Sequence, residues 1–272
     1  MSLANSNFTP AEAAEFAMLL EVTAKCKPGN IDRLHDYDDT SMSHFLSSAA
    51  RAREVFEQID GLSLGQAFYN AVERTNNHSG GNTHFGAFIL LLPLLKGRGI
   101  EGAMRQTAAT DVEDAVLFYK AFGLTQVRTN KESEMDVNDP ESIHMLYEKK
   151  MTMLDVMQMS AKNDMVAREW TNGFALTKEC AALLQSAGGA SKISDVFLKM
   201  MARHADTFVA KKFDLETAES VKTLAQSVLD GKTTAESFDA FCLKEGINPG
   251  SLADICIAGI FVSLLEGWNW DC

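Results

Sequence analysis

The sequence predicts an all-α fold, a single compact globular array of about ten or more helices. Apolar residues recur at three- and four-residue steps along most of the 272 residues, and helix-capping residues precede many of these stretches. No alternating run of β-branched and aromatic residues reaches the length of a strand. Because no linker rich in proline or glycine divides the chain, we expect residues 1–272 to form one domain, with residues 1–8 disordered or left over from cloning.

The first helix is predicted to start after Thr9, which forms a capping box with Glu12 and precedes Pro10 at the first helical position, and to end at Pro28 and Gly29. Thr110 and Glu113 repeat the capping-box pattern before a later helix. The remaining helices are predicted at about 43–58, 63–77, 82–96, 100–108, 111–122, 141–161, 164–186, 192–208, 215–229, 234–244 and 249–266. The polar stretch from Arg128 to Ser142 is expected to be a solvated loop or a lid.

Composition excludes several classes of protein. The formal net charge of −12 argues against a nucleic-acid surface, which needs a basic stripe. The apolar run from Ala87 to Leu95 is too short to span a bilayer and contains Pro93, and the N-terminus has no signal-peptide pattern. Five scattered cysteines indicate buried, reduced thiols. We therefore expect a cytoplasmic protein without a membrane or nucleic-acid partner; a homodimer is only slightly favoured.

The first of three polar clusters is "KCKPGNIDRLHDYDD", residues 25–39. It combines lysines and an arginine with four aspartates. Phosphate groups bound with magnesium need this mixture, because carboxylate oxygens hold the metal while Lys and Arg contact phosphate oxygens. A solvated loop would have the same composition, so the pattern alone leaves both interpretations open.

The second cluster, "SGGNTHFG", occupies residues 79–86, just before the apolar run. Gly80 and Gly81 allow close approach of the backbone to a ligand, and Asn82 or Thr83 can cap the helix, whose first N–H groups attract anions. A tight turn with a hydrogen-bonded His84 is the structural alternative.

The third cluster, "NPGSLAD", occupies residues 248–254 and starts an apolar helix in which Asp254 is one of few acids. A simple helix cap explains it equally well. "AREWTNGF", residues 167–174, is a weaker candidate because Glu169 and Asn172 share a helical face.

Taken together, "EVTAKCKPGNIDR", "SGGNTHFG" and "NPGSLAD" in this order resemble the triphosphoribosyl-dephospho-coenzyme A synthase family. The resemblance covers most of the chain and implies an ATP-dependent transferase. Such an enzyme moves triphosphoribose from ATP to the 2'-hydroxyl of dephospho-CoA and releases adenine. ATP and a nucleotide-like acceptor such as dephospho-CoA are then the expected partners, and Mg²⁺ is the expected cofactor.

The resemblance also implies roles for the clustered residues. Carboxylates would stabilise positive charge on the ribose and deprotonate the incoming hydroxyl, and others would bind magnesium beside the triphosphate. The candidates are Asp32 and Asp39 for catalysis; Asp36, Asp38 and Asp254 for the metal; and Lys27, Pro28, Gly29, Arg33, Gly80, Gly81, Asn82, Thr83 and His84 for the nucleotide.

The chain departs from the family pattern at several positions, which marks a divergent branch. "LHDYDDT" stands where a Gly-Ala-His-x-Asp element is usual, and Phe85 takes the place of a lysine. In the middle of the chain, "DAVLFYKAFGLTQV" stands where the family has a glycine-rich segment that contains an arginine. Three alternatives follow: a different acceptor, a nucleotide-binding or regulatory protein without turnover, or a hydrolase in which water replaces the acceptor.

Overall fold

A computed structural model describes residues 8–125 and 140–272. These residues form fifteen α-helices and two short 3-10 turns, with no strand among them, which confirms the all-α prediction. Residues 1–7 and most of the predicted lid or loop between Arg128 and Ser142 lie outside the described residues. Phe8, the first residue described, stacks on Phe16 with ring centroids 5.0 Å apart.

The helices follow one another through short connections. In chain order they are α1 Pro10–Val22, α2 Met42–Glu57, α3 Leu64–Thr75, α4 Phe85–Gly97, α5 Ile100–Ala108, α6 Val112–Phe122, α7 Pro140–Lys149, α8 Met153–Ser160, α9 Met165–Asn172, α10 Ala175–Ala187, α11 Ile193–Arg203, α12 Thr207–Lys212, α13 Leu215–Leu229, α14 Ala235–Glu245 and α15 Gly250–Leu265.

Three predicted long helices are each two helices in the structure. Lys150 adopts a left-handed backbone (φ 51°) between α7 and α8, and Gly173 and Phe174 do so between α9 and α10 (φ 73° and 59°). A helix cannot continue through such residues, because the left-handed conformation interrupts the hydrogen-bond ladder. Between α11 and α12, the side chain of Asp206 caps a new helix by accepting from the amides of Phe208 and Val209.

Two predicted helix ends also need correction, and one is confirmed. Thr9 and Glu12 form the predicted capping box. The first helix, however, ends at Val22, before the predicted Pro28 and Gly29, and an irregular loop follows up to Ser41. Asp111 caps α6 in place of Thr110, because its carboxylate accepts from the amide of Asp114.

The centre of the molecule is built on α4 and α15. Both helices are apolar on nearly every side and buried along their length, as expected of helices surrounded by other helices. α15 packs against α1, α4 and α10. This arrangement brings the N-terminus of α15 beside the N-terminus of α4, where two of the polar clusters lie.

The expectation of buried, reduced thiols holds for four of the five cysteines, whereas Cys272 is exposed. All five cysteines are free, and four of them are buried. Over residues 8–125 and 140–272, no helix is long and apolar enough to cross a bilayer.

Candidate active site

The three polar clusters meet at one cavity of about 410 Å³. Its volume lies in the range of small-molecule sites. Each cluster contributes residues to the lining: Glu21, Lys27 and Asn30 from the end of α1 and the following loop; Asn82, Thr83 and Gly86 from the start of α4; and Asn248, Gly250, Ser251 and Asp254 from the start of α15. Side chains from α2, α6, α8, α9 and α12 complete the lining.

The loop of residues 23–41, called here the Lys27 loop, is fixed on its far side by α14. The amide of Gly29 donates to Asp239 Oδ1 at 2.9 Å, and the Tyr37 hydroxyl donates to the Gly29 carbonyl. Gly29 has a positive φ of 76°, and a Cβ at this position would lie 2.5 Å from the carbonyl oxygen of Ile247. Glycine is therefore required where the Lys27 loop packs against the segment leading into α15.

Lys27 and Glu21 form a buried ion pair in the wall of the cavity. Lys27 Nζ lies 2.5 Å from Glu21 Oε1 and 5.9 Å from the centre of the Phe197 ring. Burial raises the pKa of Glu21, and the charge of Lys27 opposes that rise. The pair therefore places an ionisable carboxylate of raised basicity, held by a fixed cation, at the cavity surface.

Asp32 is buried but does not line the cavity. Its carboxylate accepts from the amide of Lys27 at 2.6 Å and from the amide of Leu34 at 2.7 Å. His35 Nδ1 lies 3.5 Å from Asp32 Oδ1 and 3.5 Å from Asp239 Oδ2. Asp32 thus holds the shape of the Lys27 loop from within.

The other charged residues predicted from the Lys27 loop lie on its outer side. Arg33, Asp36, Asp38 and Asp39 are exposed, and none of them lines the cavity. Asp36 accepts from the amide of Met42 at 2.6 Å, and Asp39 accepts from the hydroxyl of Thr40 at 3.0 Å. Pro28 is buried and, like Gly29, lies outside the lining.

The glycine-rich segment before α4 divides into two parts. Asn82 and Thr83 face the cavity, and Asn82 Oδ1 accepts from the amide of Phe85 at 3.0 Å, which caps the helix. Gly80 lies against the ring of His44, and Gly81 has a positive φ of 63° with open space around it. These two glycines shape the turn and are not among the lining residues.

His84 is buried beside the cavity and does not line it. Its Nδ1 lies 2.8 Å from the hydroxyl of Ser48. Burial, with a smaller contribution from the charge of Lys27, lowers the pKa of His84 to about 3. His84 is therefore neutral at physiological pH and supports the turn from the core side.

Asp254 is the acid that joins two of the clusters. Its carboxylate accepts a hydrogen bond from the amide of Ala87, and its Oδ2 occupies the space that a Cβ on Gly86 would fill. Glycine at position 86 therefore admits the carboxylate to the first turn of α4, where the helix dipole favours negative charge. Burial raises the pKa of Asp254 well above its usual value, and the nearby charges of Glu21, Asp206 and Asp164 add to the rise.

Sequence reasoning missed several residues of the lining. Glu21 and Asn30 lie inside a motif that was recognised, but were given no role. Asn163, Asp164 and Lys211 lie in helix connections or short helices with no recognisable pattern. Asn248 lies in the third motif, and its Oδ1 is buried without a hydrogen-bond partner, as is Nδ2 of Asn30. Buried polar atoms are usually hydrogen-bonded, so these two amide atoms are available to a ligand or to ordered water in the cavity.

Aromatic side chains also line the cavity. The side chains of Phe85 and Phe122 pack with centroids 4.5 Å apart, and Phe118 lies 5.1 Å from Phe122. Phe45, Tyr119 and Met157 extend this wall. A cavity lined by both polar and aromatic side chains suits a molecule that has a planar base and charged groups.

The described residues contain no group of three or more His, Cys, Asp or Glu side chains that could hold a metal ion by themselves. Magnesium, however, is usually bound through one or two carboxylates together with substrate phosphates and water. Asp254 and the partnerless Oδ1 of Asn248 are oxygen donors at the start of the same helix. This donor set fits magnesium bound jointly with a phosphorylated substrate.

The comparisons with known proteins decide the family. Residues 7–272 match the model of the CitG family, described as ATP:dephospho-CoA triphosphoribosyl transferase. The chain belongs to this family. Its membership confirms the resemblance found in the three motifs and makes the protein an ATP-dependent triphosphoribosyl transferase.

A solved structure agrees with the family. It is from Archaeoglobus fulgidus and is provisionally assigned as a triphosphoribosyl-dephospho-coA synthase. The chains share 27% sequence identity with a TM-score of 0.71, and the match covers 82% of this chain and 100% of the other. No curated protein matches this transferase-family chain.

Proposed function

We propose that this protein transfers the triphosphoribosyl group of ATP to the 2'-hydroxyl of dephospho-CoA and releases adenine in the cavity described above. The observation that carries the proposal is the meeting of the three motif segments at that cavity, with the Asp254 carboxylate against Gly86. Family membership supplies the type of reaction, and the aromatic and charged residues of the cavity lining suit a nucleotide.

The reaction breaks one bond and forms another at the same carbon. The bond between ribose C1' and adenine breaks, its electron pair leaves with the base, and C1' acquires positive charge. The oxygen of the acceptor hydroxyl then bonds to C1', and the hydroxyl proton is passed on, so that adenine leaves in its neutral form. The protein needs a carboxylate that stabilises the charged ribose and a group that accepts the proton.

We assign proton acceptance to Glu21. Its carboxylate lines the cavity, and burial makes it a stronger base than an exposed glutamate. The buried ammonium of Lys27 holds it in place and favours its charged form. The same negative charge stabilises positive charge that develops on a ribose bound beside it.

We assign magnesium binding to Asp254, with Asn248 as a second oxygen donor. Two lysines line the cavity, and each is paired with a carboxylate: Lys27 with Glu21 and Lys211 with Asp164. The carboxylate of Asp254, when ionised, would add negative charge to a cavity that has to accept a triphosphate. Asp254 and Asn248 would hold a divalent cation, which would supply charge neutralisation at the triphosphate when bound.

The remaining predicted site residues are proposed as supports of this site. Asp32 holds the amide of Lys27, and so fixes the Lys27 loop that carries Lys27 and Asn30. Asp36, Asp38, Asp39 and Arg33 lie on the outer side of that loop, and we propose no direct contact with the reacting atoms for them.

Chromatography of the purified protein with ATP, MgCl₂ and dephospho-CoA tests the proposal. We expect adenine and a dephospho-CoA product carrying triphosphoribose in equal amounts, and neither without dephospho-CoA. Adenine released without an acceptor would indicate a hydrolase. ATP binding without adenine release, over a panel of nucleotide acceptors, would indicate a binding protein and contradict the proposal.

A further inference from the structure

A second ion pair, Lys211 with Asp164, lies in the lining of the same cavity, and it differs from the Lys27–Glu21 pair in its exposure. The side chains of Lys211 and Asp164 are 32% and 26% exposed, whereas those of Lys27 and Glu21 are 1% and 3% exposed. A solvent-accessible ion pair contributes little to stability. Lys211 can therefore exchange its partner at small cost, whereas Lys27 cannot.

Asp164 keeps its structural role when Lys211 leaves it. Its Oδ1 accepts from the amides of Val166 at 2.8 Å and Ala167 at 3.2 Å, which caps α9. The other oxygen, Oδ2, accepts from Lys211 Nζ. Because different oxygens serve the two roles, the ion pair can open without removing the helix cap.

The short helix α12 positions Lys211 relative to Asp254. Asp206, at the start of α12, accepts from the amide of Leu252 in α15 at 2.8 Å. The amide of Met165 in α9 donates to the hydroxyl of Thr207 at 3.0 Å. α12 is thus attached to both α9 and α15 at its N-terminal end, while Lys211, near its C-terminal end, faces the cavity.

We propose that Asp164 occupies the phosphate-binding position of Lys211 in the free protein, and that a phosphate group of an incoming nucleotide displaces it. The inference rests on the proposed function and adds a binding residue to it. Phosphate oxygens match the chemistry of the carboxylate they replace, but carry more charge, so Lys211 prefers them. The phosphate belongs either to the triphosphate of ATP or to the diphosphate of the acceptor.

Two substitutions have opposite expected effects. Lys211→Met removes the cation and is expected to weaken nucleotide binding about tenfold. Asp164→Asn keeps a good N-cap residue but removes the competing charge, so nucleotide binding is expected to become several-fold tighter. If the ion pair only stabilised the fold, both substitutions would lower stability and neither would tighten nucleotide binding. Lys212→Met is the matched control, since Lys212 is adjacent and contacts the carbonyl of Gly246 outside the cavity lining.

Two readouts on the full chain distinguish the sources of the phosphate. Calorimetric titration with ATP and MgCl₂, without acceptor, measures the donor; the KM for dephospho-CoA in the adenine-release assay measures the acceptor. A tenfold change in either constant for Lys211→Met supports the proposal and identifies the phosphate. Unchanged values in both, with folding verified by thermal melting, overturn it.

The double variant Lys211→Met/Asp164→Asn separates exchange from a general charge effect. If Asp164 competes with the phosphate for Lys211, Asp164→Asn does not tighten nucleotide binding in a protein that already carries Lys211→Met. If Asp164→Asn tightened nucleotide binding equally in the wild type and in Lys211→Met, Asp164 would act only by long-range repulsion, and the inference would be overturned. Failure of the wild type to release adenine would count against the proposed reaction alone, because the ATP titration does not depend on turnover.

Discussion

The Lys27 loop and the first turn of α15 differ in how their acids are used. The loop contains four aspartates, and none of them lines the cavity. α15 contains one aspartate in an otherwise apolar helix, and that residue reaches the centre of the site. In the loop the carboxylates satisfy backbone amides or face solvent. The comparison teaches that an isolated acid on an apolar helix, opposite a glycine, is a better indication of a position in the cavity lining here than a dense acidic cluster.

The largest effect is expected at Glu21, the carboxylate that composition did not single out. Glu21→Gln removes the proposed proton acceptor and is expected to reduce the rate of adenine release about 10³-fold. It also leaves Lys27 without a charged partner in the core, so a lower melting temperature is expected. Glu15→Gln, on the same helix but in a surface ion pair with Arg53, is the control. A Glu21→Gln protein that is folded and releases adenine at the wild-type rate would contradict the assignment.

Gly86→Ala tests the contact that joins α4 to α15. The added Cβ would occupy the position of Asp254 Oδ2, so the carboxylate must move. We expect about a 10²-fold loss in kcat/KM for adenine release, because displacement of a binding group by about an ångström has effects of this size. Gly61→Ala is the matched control, since a Cβ there meets no atom within 4 Å. Similar activity in both variants would show that Asp254 does not need its observed position.

Asp32→Ala and Asp39→Ala test the difference within the Lys27 loop itself. Removing Asp32 leaves the buried amide of Lys27 without its acceptor and also affects the amide of Leu34. Each such loss costs about 1 to 3 kcal/mol, so a decrease of about 3 kcal/mol in the free energy of unfolding is expected. Asp39 is exposed, so the free energy of unfolding of Asp39→Ala is expected to lie within about 0.5 kcal/mol of the wild-type value. Urea denaturation measures both; equal losses would contradict the distinction.

The smallest effect concerns Asp206, which ties α12 to α15. Burial raises its pKa from 3.8 to about 6, although the amides of Leu252, Val209 and Phe208 oppose the rise. Because the pKa is higher in the folded state, the contribution to stability is complete below pH 3.8 and is lost as the pH rises through about 6.

Asp206→Asn does not titrate, so the difference in unfolding free energy between wild type and variant is expected to change by about 2 kcal/mol between pH 4 and pH 6.5. Urea denaturation at a series of pH values checks this. Parallel curves for the two proteins would show that Asp206 titrates normally in the fold.

The sequence predicts the fold well because the helices are marked by local signals. Capping residues and apolar periodicity identify most helices, and the buried α4 and α15 appear as apolar runs. Three predicted helices continue through breaks that the structure places at Lys150, at Gly173 and Phe174, and before Asp206. Left-handed residues other than glycine leave no reliable pattern in the sequence, and a single capping aspartate resembles any other helical acid.

The candidate site is only partly predictable, for a different physical reason. The motif segments were recognised, and Lys27, Asn82, Thr83 and Asp254 do line the cavity. Which face of a loop points inward depends on contacts between residues far apart in the chain, such as Gly29 with Asp239. Lys211 and Asp164 line the cavity because α12 is attached to α9 and α15. No local sequence pattern predicts these contacts between helices.

The magnesium dependence of ATP binding in wild type and in Asp254→Asn tests the central claim most directly. Burial raises the pKa of Asp254, so the neutral asparagine is expected to fold at least as well as the aspartate. Titration calorimetry with and without MgCl₂ should show that the wild type binds ATP tightly only with magnesium, and that this difference disappears in the variant. An unchanged magnesium dependence in a folded Asp254→Asn protein would contradict the placement of the triphosphate at the start of α15.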